Sequence, residues 1–436
     1  MQSYLREQDK FYHNQWTSEE IKSWQLKQFN RQWLAIRRDV PYFQHVTAQN
    51  RLPVRFSTWQ EFREQVPLMD RRTIQSRRNE FVNKERAPDL WRSTGGSTAE
   101  PMQIPAWTSE GDFLAKDMWY ARSWFGVSPA DKLFLLWGHS HLLGTGVSGW
   151  LNATTREIKD RLLGYCRYSA YDLSESGLRL GAETLIDFRP AYVIGYAVAL
   201  DRFAKVNRDR RADFHKLDLK VAIATAESFP TPESATLIAD ILGCRVVMEY
   251  GAVETGLVAH QRLDGHYSVF WRHYFVEGTE SAEVPGTYEI VITGLYPRCF
   301  PLVRYRLGDL VATDPDEQSV NQHFKAVIGR CNDYIALPNG NVVHSEAFTH
   351  AVKDIPSISA YQVVQSRDGI ITLQYLATSS LKPNEVESIR RRLNQITPHL
   401  AGVRLQRVES LEQTIAGKTR RIVREIATLP DYSAQA

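Results

Sequence analysis

Cysteine is scarce in this chain, with only Cys166, Cys244, Cys299 and Cys331 among 436 residues and none in Cys-x-x-Cys spacing. A disulfide framework or a paired-cysteine zinc or redox site needs denser or closer thiols, so the chain reads as a reduced protein. An apolar signal-peptide core is missing near Met1, which makes the expected location cytoplasmic. Histidine does not supply a zinc site either: none sits with a cysteine at ligand spacing, and His139-Ser140-His141 offers too few ligands. Long apolar runs are absent, the longest being strand-length pieces such as Leu133 to Trp137, far below the roughly 20 residues of a membrane helix. No membrane partner is expected. Excess charge is lacking too, since 53 Lys plus Arg stand against 50 Asp plus Glu. Without a strong field, no nucleic acid partner is expected, and pairs such as Arg210-Arg211 and Arg420-Arg421 read as solvated faces. Finally, no Gly-Lys-Ser/Thr follows the glycines at Gly95-Gly96, and Rossmann glycine spacing is absent, which removes kinase, GTPase and dehydrogenase readings. A small-molecule substrate remains.

What is present is length and alternation. A chain this long can bury two or three domains. Trp16, Trp24, Trp33 and Trp59 recur among polar residues, predicting amphipathic helices packed on a larger body over the first ninety residues. A helix is predicted over 109–124, then a buried strand over 132–137. Strands at 191–195, 219–224 and 245–250 alternate with helices at 196–206 and near 232–242, which predicts a largely parallel, covered sheet. After Gly251 the pattern turns β-rich, and 286–293 alternates like a half-buried antiparallel strand. Beyond Asp333 a short β piece is followed by helices at 345–352 and 385–396, the second capped by Asn384, with a strand at 370–376 between them. That pattern predicts a separate small α/β lid behind a short hinge near 328–334.

The densest local signal is Arg92-Ser93-Thr94-Gly95-Gly96-Ser97-Thr98-Ala99-Glu100-Pro101. Glycines let backbone N–H groups converge, and hydroxyls add small rotatable donors, so the loop suits an anion. An ordinary surface loop has the same composition. Five later segments accompany it in order. They are Ala226-Glu227 ahead of a helix, Glu249-Tyr250-Gly251-Ala252-Val253-Glu254-Thr255-Gly256, Phe300-Pro301-Leu302-Val303-Arg304-Tyr305-Arg306-Leu307-Gly308-Asp309, Gly329-Arg330-Cys331-Asn332-Asp333, and Ala416-Gly417-Lys418. Together they resemble the adenylate-forming superfamily, specifically its phenylacetate–CoA ligase and capsular-polysaccharide-type branch, over most of the chain.

The resemblance implies an α/β fold: a large N-terminal adenylate-forming domain, 1–330, of mostly parallel covered sheets, and a small mobile C-terminal α+β lid, 331–436. Within the large domain, 1–90 would be helical and 252–328 a β-rich subdomain. It also implies ATP with Mg²⁺, a carboxylic acid activated as its acyl-adenylate, and transfer to a thiol, most simply coenzyme A. Transfer to an amine, a hydroxyl or a carrier-protein thiol stays open, as does a non-catalytic binding relative. Ser93, Thr94, Gly95, Gly96, Ser97 and Thr98 would grip pyrophosphate; Ala226, Glu227, Tyr250 and Gly251 would line the nucleotide, with the Tyr250 ring on adenine. Asp309 would accept both ribose hydroxyls, reinforced by Arg330. Glu254 would hold Mg²⁺, a hard cation that prefers carboxylate oxygen. Lys418 would bring a point charge to the forming anhydride, and Asp333 would be the hinge. Trp137, His139 and Tyr196 would wall an acyl pocket suited to an aromatic acid. Taken singly, the same residues also read as a core tyrosine, a helix-cap glutamate, a turn aspartate, a surface lysine and a structural aromatic cluster. Two departures stand out: Glu100 occupies the place of the family's usual lysine, and Val253 that of a Thr or Ser.

Overall fold

A computed structural model of the chain describes residues 8–9, 11–12, 16–93, 102–137, 159–160, 162–170, 175–226, 229, 233–281, 286–313, 320–330, 334–337, 342–344, 348, 351–352, 355, 357–358, 360–377, 379–412 and 422–424. The helix Ser18–Asp39 opens on a capping box, in which the Thr17 hydroxyl accepts the Glu20 N–H and Glu20 accepts the Thr17 N–H. Ile21, Gln25, Phe29, Trp33 and Ile36 recur at helical spacing and are its buried face. Gln25 donates to the Trp271 and Tyr274 carbonyls, and the Trp59 ring stacks on Phe275 at 3.6 Å between centroids. The helical region expected over the first ninety residues thus packs on strands more than two hundred residues later.

Strands β1 (Leu90–Ser93) and β2 (Gln103–Ala106) pair antiparallel, ending on Ser93 opposite Gln103. The eight-stranded central sheet is built on β3 (Leu133–Trp137), β4 (Tyr165–Ser169), β5 (Tyr192–Tyr196), β6 (Val221–Thr225) and β7 (Arg245–Ala252), joined in parallel in the order β4-β3-β5-β6-β7. Side chains alternate across it. Ala222 and Ala224 enter one core with Leu178, Leu185 and Ile238, while Val221 and Ile223 enter another with Phe125 and Val127. Beyond β7 the sheet continues antiparallel through β8 (Gly256–Gln261) and β9 (Tyr267–Val269), so it is mixed where the alternation predicted mostly parallel pairing. A tight hairpin after Ala252 replaces the helix that a further parallel strand would require.

A second, four-stranded antiparallel sheet follows, from β10 (Tyr274–Glu280), β11 (Thr287–Gly294), β12 (Tyr305–Ala312) and, past the short β13 (His323–Phe324), β14 (Ala326–Arg330). The half-buried strand expected at 286–293 is β11, and it is mostly buried, because it is an inner strand between β10 and β12. In the Arg304-Tyr305-Arg306 motif, Arg304 adopts a positive φ of 49° and its guanidinium donates to the Arg63 and Val66 carbonyls. Arg306 pairs with Glu289 across β11 and β12. Both arginines therefore hold structure together.

The remaining strands are β15 (Tyr334–Ala336), β16 (Val342–His344), β17 (Ala360–Gln365), β18 (Ile371–Leu376), β19 (Arg404–Arg407) and β20 (Ile422–Arg424). Four of them form a mixed sheet in the order β19-β18-β17-β20, and Val363, Leu373, Ile389 and Leu393 share a core drawn from residues 335 to 422. Phe348, Ala351 and Val352 lie at helical positions, as expected. The helix Pro383–Ile396 is capped by Lys382 rather than Asn384, since Pro383 takes the first helical position and Glu385 accepts the Lys382 N–H at 2.8 Å. Among the described residues no helix is long and apolar enough to cross a membrane.

Candidate active site

Four sequence-predicted residues arrive at one sheet edge through strand register alone. Trp137 ends β3 and Tyr196 ends β5, which pairs with β3 in parallel, so their rings meet at 4.3 Å between centroids, tilted by 39°. Ala226 directly follows β6, and Tyr250 lies near the end of β7. Ala226 has a φ of 71°, unusual for a residue with a Cβ, where the chain leaves the sheet. Open α/β sheets bind ligands beyond the carboxyl ends of their parallel strands.

The β7–β8 hairpin carries Glu254 in its turn rather than at a helix cap. Thr255 stabilises that turn: its hydroxyl accepts the Ala252 N–H at 3.0 Å and donates to the Gly256 carbonyl at 2.8 Å. Gly251 is required by close approach, because a Cβ there would lie 2.2 Å from the Gly256 carbonyl oxygen. Glu254 is buried; its Oε1 accepts the Tyr305 hydroxyl at 3.2 Å, and its backbone carbonyl accepts from Arg298. The Tyr250 hydroxyl donates to Asp309 Oδ2 at 2.9 Å, tying the central sheet to the second one. Asp309 lies within β12, directly across from Arg330 on β14, with Gly308 before it at a φ of 81°. Tyr250, Asp309 and the Arg330 backbone therefore meet, while Glu254 is bonded to Tyr305, four residues before Asp309 on β12. Lys418, Asp333, Glu227, His139, Thr94, Gly95, Gly96, Ser97, Thr98 and Glu100 lie outside the described residues, as do the side chains of Ser93 and Arg330.

Two buried arginines were not picked out by the motifs. Arg122, near the end of the helix Ser109–Ser123, binds Glu249 in a fork, Nε to Oε1 at 2.7 Å and Nη2 to Oε2 at 3.2 Å. Burial pushes the Glu249 carboxyl up, but Arg122 and then His260 outweigh it and leave the group below the ordinary glutamate value. His260 Nδ1 donates to the Gln261 carbonyl at 2.8 Å, which fixes the tautomer, and burial holds the ring below the ordinary histidine value. The sequence carried a signal for this pair: a carboxylate within the apolar strand Val246-Val247-Met248-Glu249-Tyr250 must find a partner if buried. The second, Arg298, is a lone charge in Leu295-Tyr296-Pro297-Arg298-Cys299-Phe300.

Magnesium is compatible with this arrangement. It commonly takes one or two carboxylates and completes its shell with phosphate oxygens and water. Glu254 offers one carboxylate, and no cluster of three or more potential ligands occurs among the described residues, so an ion here would be held largely by its substrate.

The two sheets, their order and the hairpin between them give the chain the fold of the adenylate-forming ligases. Among solved structures, it is similar to 2-hydroxyisobutyryl-CoA ligase in its postadenylation state with 2-HIB-AMP, at a TM-score of 0.66 and 15% identity, over 94% of this chain and 90% of that one. The same ligase with 2-HIB-AMP and CoA in the thioesterification state gives 0.60 and 16% identity, over 94% and 91%. Acetoacetyl-CoA synthetase from Streptomyces lividans gives 0.51 and 14%, over 78% of this chain and 55% of that one. In sequence, Protein CapK of Staphylococcus aureus is 21% identical over 426 residues, 92% of this chain and 89% of that protein, in keeping with the capsular-type branch. No protein-family model matches the chain.

Proposed function

We propose that the protein uses ATP to activate a carboxylic acid, of aromatic type, as its acyl-adenylate and passes the acyl group to the thiol of coenzyme A. In the first step a carboxylate oxygen attacks the α-phosphorus, the bond to the β-phosphate oxygen breaks, and pyrophosphate leaves. In the second step the thiol sulfur attacks the acyl carbon, the thiol proton is released, and AMP leaves with the electron pair of the anhydride bond. The observation that carries this reading is the Tyr250–Asp309 hydrogen bond, which joins two separate motifs beyond the parallel sheet, with Glu254 in the hairpin turn that follows Tyr250 and bonded to Tyr305. Asp309 would hold the ribose hydroxyls with Arg330 beside it, and Tyr250 and Ala226 would border the adenine. Glu254 would take Mg²⁺, which, when bound, neutralises phosphate charge. Lys418, carried by residues 331–436 and turning about Asp333, would stabilise the charge that develops during adenylation. The Trp137–Tyr196 pair gives the acyl pocket an aromatic wall, which favours an aryl acid. The named complexes of 2-hydroxyisobutyryl-CoA ligase with an acyl-AMP and CoA support coenzyme A as acceptor.

ATP–pyrophosphate exchange over a panel of aromatic and aliphatic acids tests the reading. Exchange is expected with an aromatic acid, reduced by about 100-fold or more in Lys418→Ala and in Asp309→Asn. Adding coenzyme A should then yield a thioester. Silence with every acid overturns the enzyme reading; exchange followed by product only with an amine, hydroxyl or carrier protein moves the acceptor.

A further inference from the structure

Arg298 belongs to none of the motifs, yet its guanidinium is only 2% exposed. Its nearest carboxylate is Glu110, with Nε 3.6 Å from Oε2, too long for a hydrogen bond. Glu110 is otherwise engaged, since its Oε1 accepts the Trp107 N–H at 3.0 Å and the Cys299 N–H at 2.9 Å. Arg298 Nη2 donates to the Glu254 carbonyl, while Nε and Nη1 have no hydrogen-bond partner among the described residues. Leaving charged donors buried and unmade is costly, and native proteins seldom keep such a group without a use. The missing acceptor must be anionic and able to fill a planar fork, which describes phosphate oxygens.

Its surroundings point the same way. The guanidinium lies 5.4 Å from the centre of the Tyr296 ring. Arg92 is on β1, the strand that leads into residues 94–101. One cation therefore stands at the root of the glycine- and hydroxyl-rich loop, and another is bonded to the Glu254 turn. The loop itself contributes the negative charge of Glu100 and no lysine.

We propose that Arg298 binds the β- and γ-phosphates of ATP and the pyrophosphate derived from them, supplying positive charge in place of the lysine that the Ser/Thr/Gly loop lacks. This rests on the adenylating reading above. The competing role is a buried counter-charge to Glu110 and nothing more, and a paired substitution separates the two. In the double variant Arg298→Met with Glu110→Gln, both charges leave together, and the glutamine oxygen still accepts from Trp107 and Cys299.

Calorimetric titrations with ATP, inorganic pyrophosphate and AMP, in magnesium buffer, provide the readout, with thermal unfolding as the check on folding. Affinity for ATP and pyrophosphate should fall at least about 10-fold while AMP stays within about twofold, because a charge-assisted bond is lost only to the outer phosphates. Unchanged affinity for all three, or equal loss of all three, overturns the proposal. Should the double variant not fold, Arg298→Lys takes its place. It retains the charge but not the fork, and several-fold weaker ATP with unchanged AMP supports the proposal, while no selective change overturns it. If the unmodified chain binds neither ATP nor AMP, the adenylating reading itself falls and takes this one with it. If it binds both and the variants do not discriminate, only the role of Arg298 falls.

Discussion

Arg122 and Arg298 are both buried, and each supports one part of the β7–β8 hairpin, but they are bonded in opposite ways. Arg122 forms a closed fork with Glu249, immediately before Tyr250. Arg298 gives one hydrogen bond to the Glu254 carbonyl and stands 3.6 Å from its nearest carboxylate. The partners of Arg122 are complete, which makes it part of the architecture; the incomplete set around Arg298 is what the proposed phosphate contact would fill. The same contrast divides the hairpin, with Glu249 held by a complete ion pair before Tyr250 and Arg298 bonded to the turn at Glu254 with donors to spare.

The strongest way to break this contrast is Arg122→Met. It leaves Glu249 buried and unpaired, and should lower stability by about 3–5 kcal/mol in denaturant unfolding, with most of it regained when Glu249→Leu is added. A loss below about 1 kcal/mol would mean that the pair does not anchor the strand before Tyr250. Next comes Gly251→Ala, which joins the two regions. Its Cβ would strike the Gly256 carbonyl oxygen at 2.2 Å, so overpacking of about 3 kcal/mol is expected, together with weakened exchange activity as the Glu254 turn shifts. Normal stability and activity would show that the hairpin can open without consequence.

Smaller and more local is Tyr305→Phe, which removes the hydroxyl bonded to Glu254 Oε1. Stability should fall by about 1 kcal/mol, and pyrophosphate exchange several-fold, measured on the same preparation. The gentlest probe is pH. Glu249 and His260 both have lowered folded-state values, so each contributes stability that is present above its unfolded value and lost as pH falls through the folded one. Stability should therefore decline first below about pH 6.5 as His260 is drawn toward protonation, then further below about pH 4.3 as Glu249 protonates. Unfolding curves of Arg122→Met should show a weaker acid dependence in the lower window, because Glu249 then loses its partner. An unchanged profile would detach Glu249 from Arg122.

Much of the fold was legible where the apolar pattern was strong. The helix at 109–123 and the strands at 133–137, 192–196, 221–225 and 245–252 fall where alternation or helical spacing predicts them, to within a few residues. Elements with polar cores were not. The strand β4 carries Arg167 at its centre, and β17 buries Gln362, which bonds with the Glu412 backbone, so neither shows an apolar run. The same limit applied to the site. The motifs named Tyr250, Glu254 and Asp309 from residue type and order, whereas Arg122 and Arg298 lie outside any motif and are marked only by charge within apolar surroundings.

By itself the sequence determined the α/β alternation, the β-rich stretch after Gly251 and the chemical vocabulary of the site, because these depend on local periodicity and residue type. Only the tertiary structure decided that Tyr250 donates to Asp309, that Arg122 is satisfied by a carboxylate 127 residues away, and that Arg298 is not satisfied by Glu110. Hydrogen bonding depends on distance and angle through space, and sheet register sets both in a way that no one-dimensional spacing records.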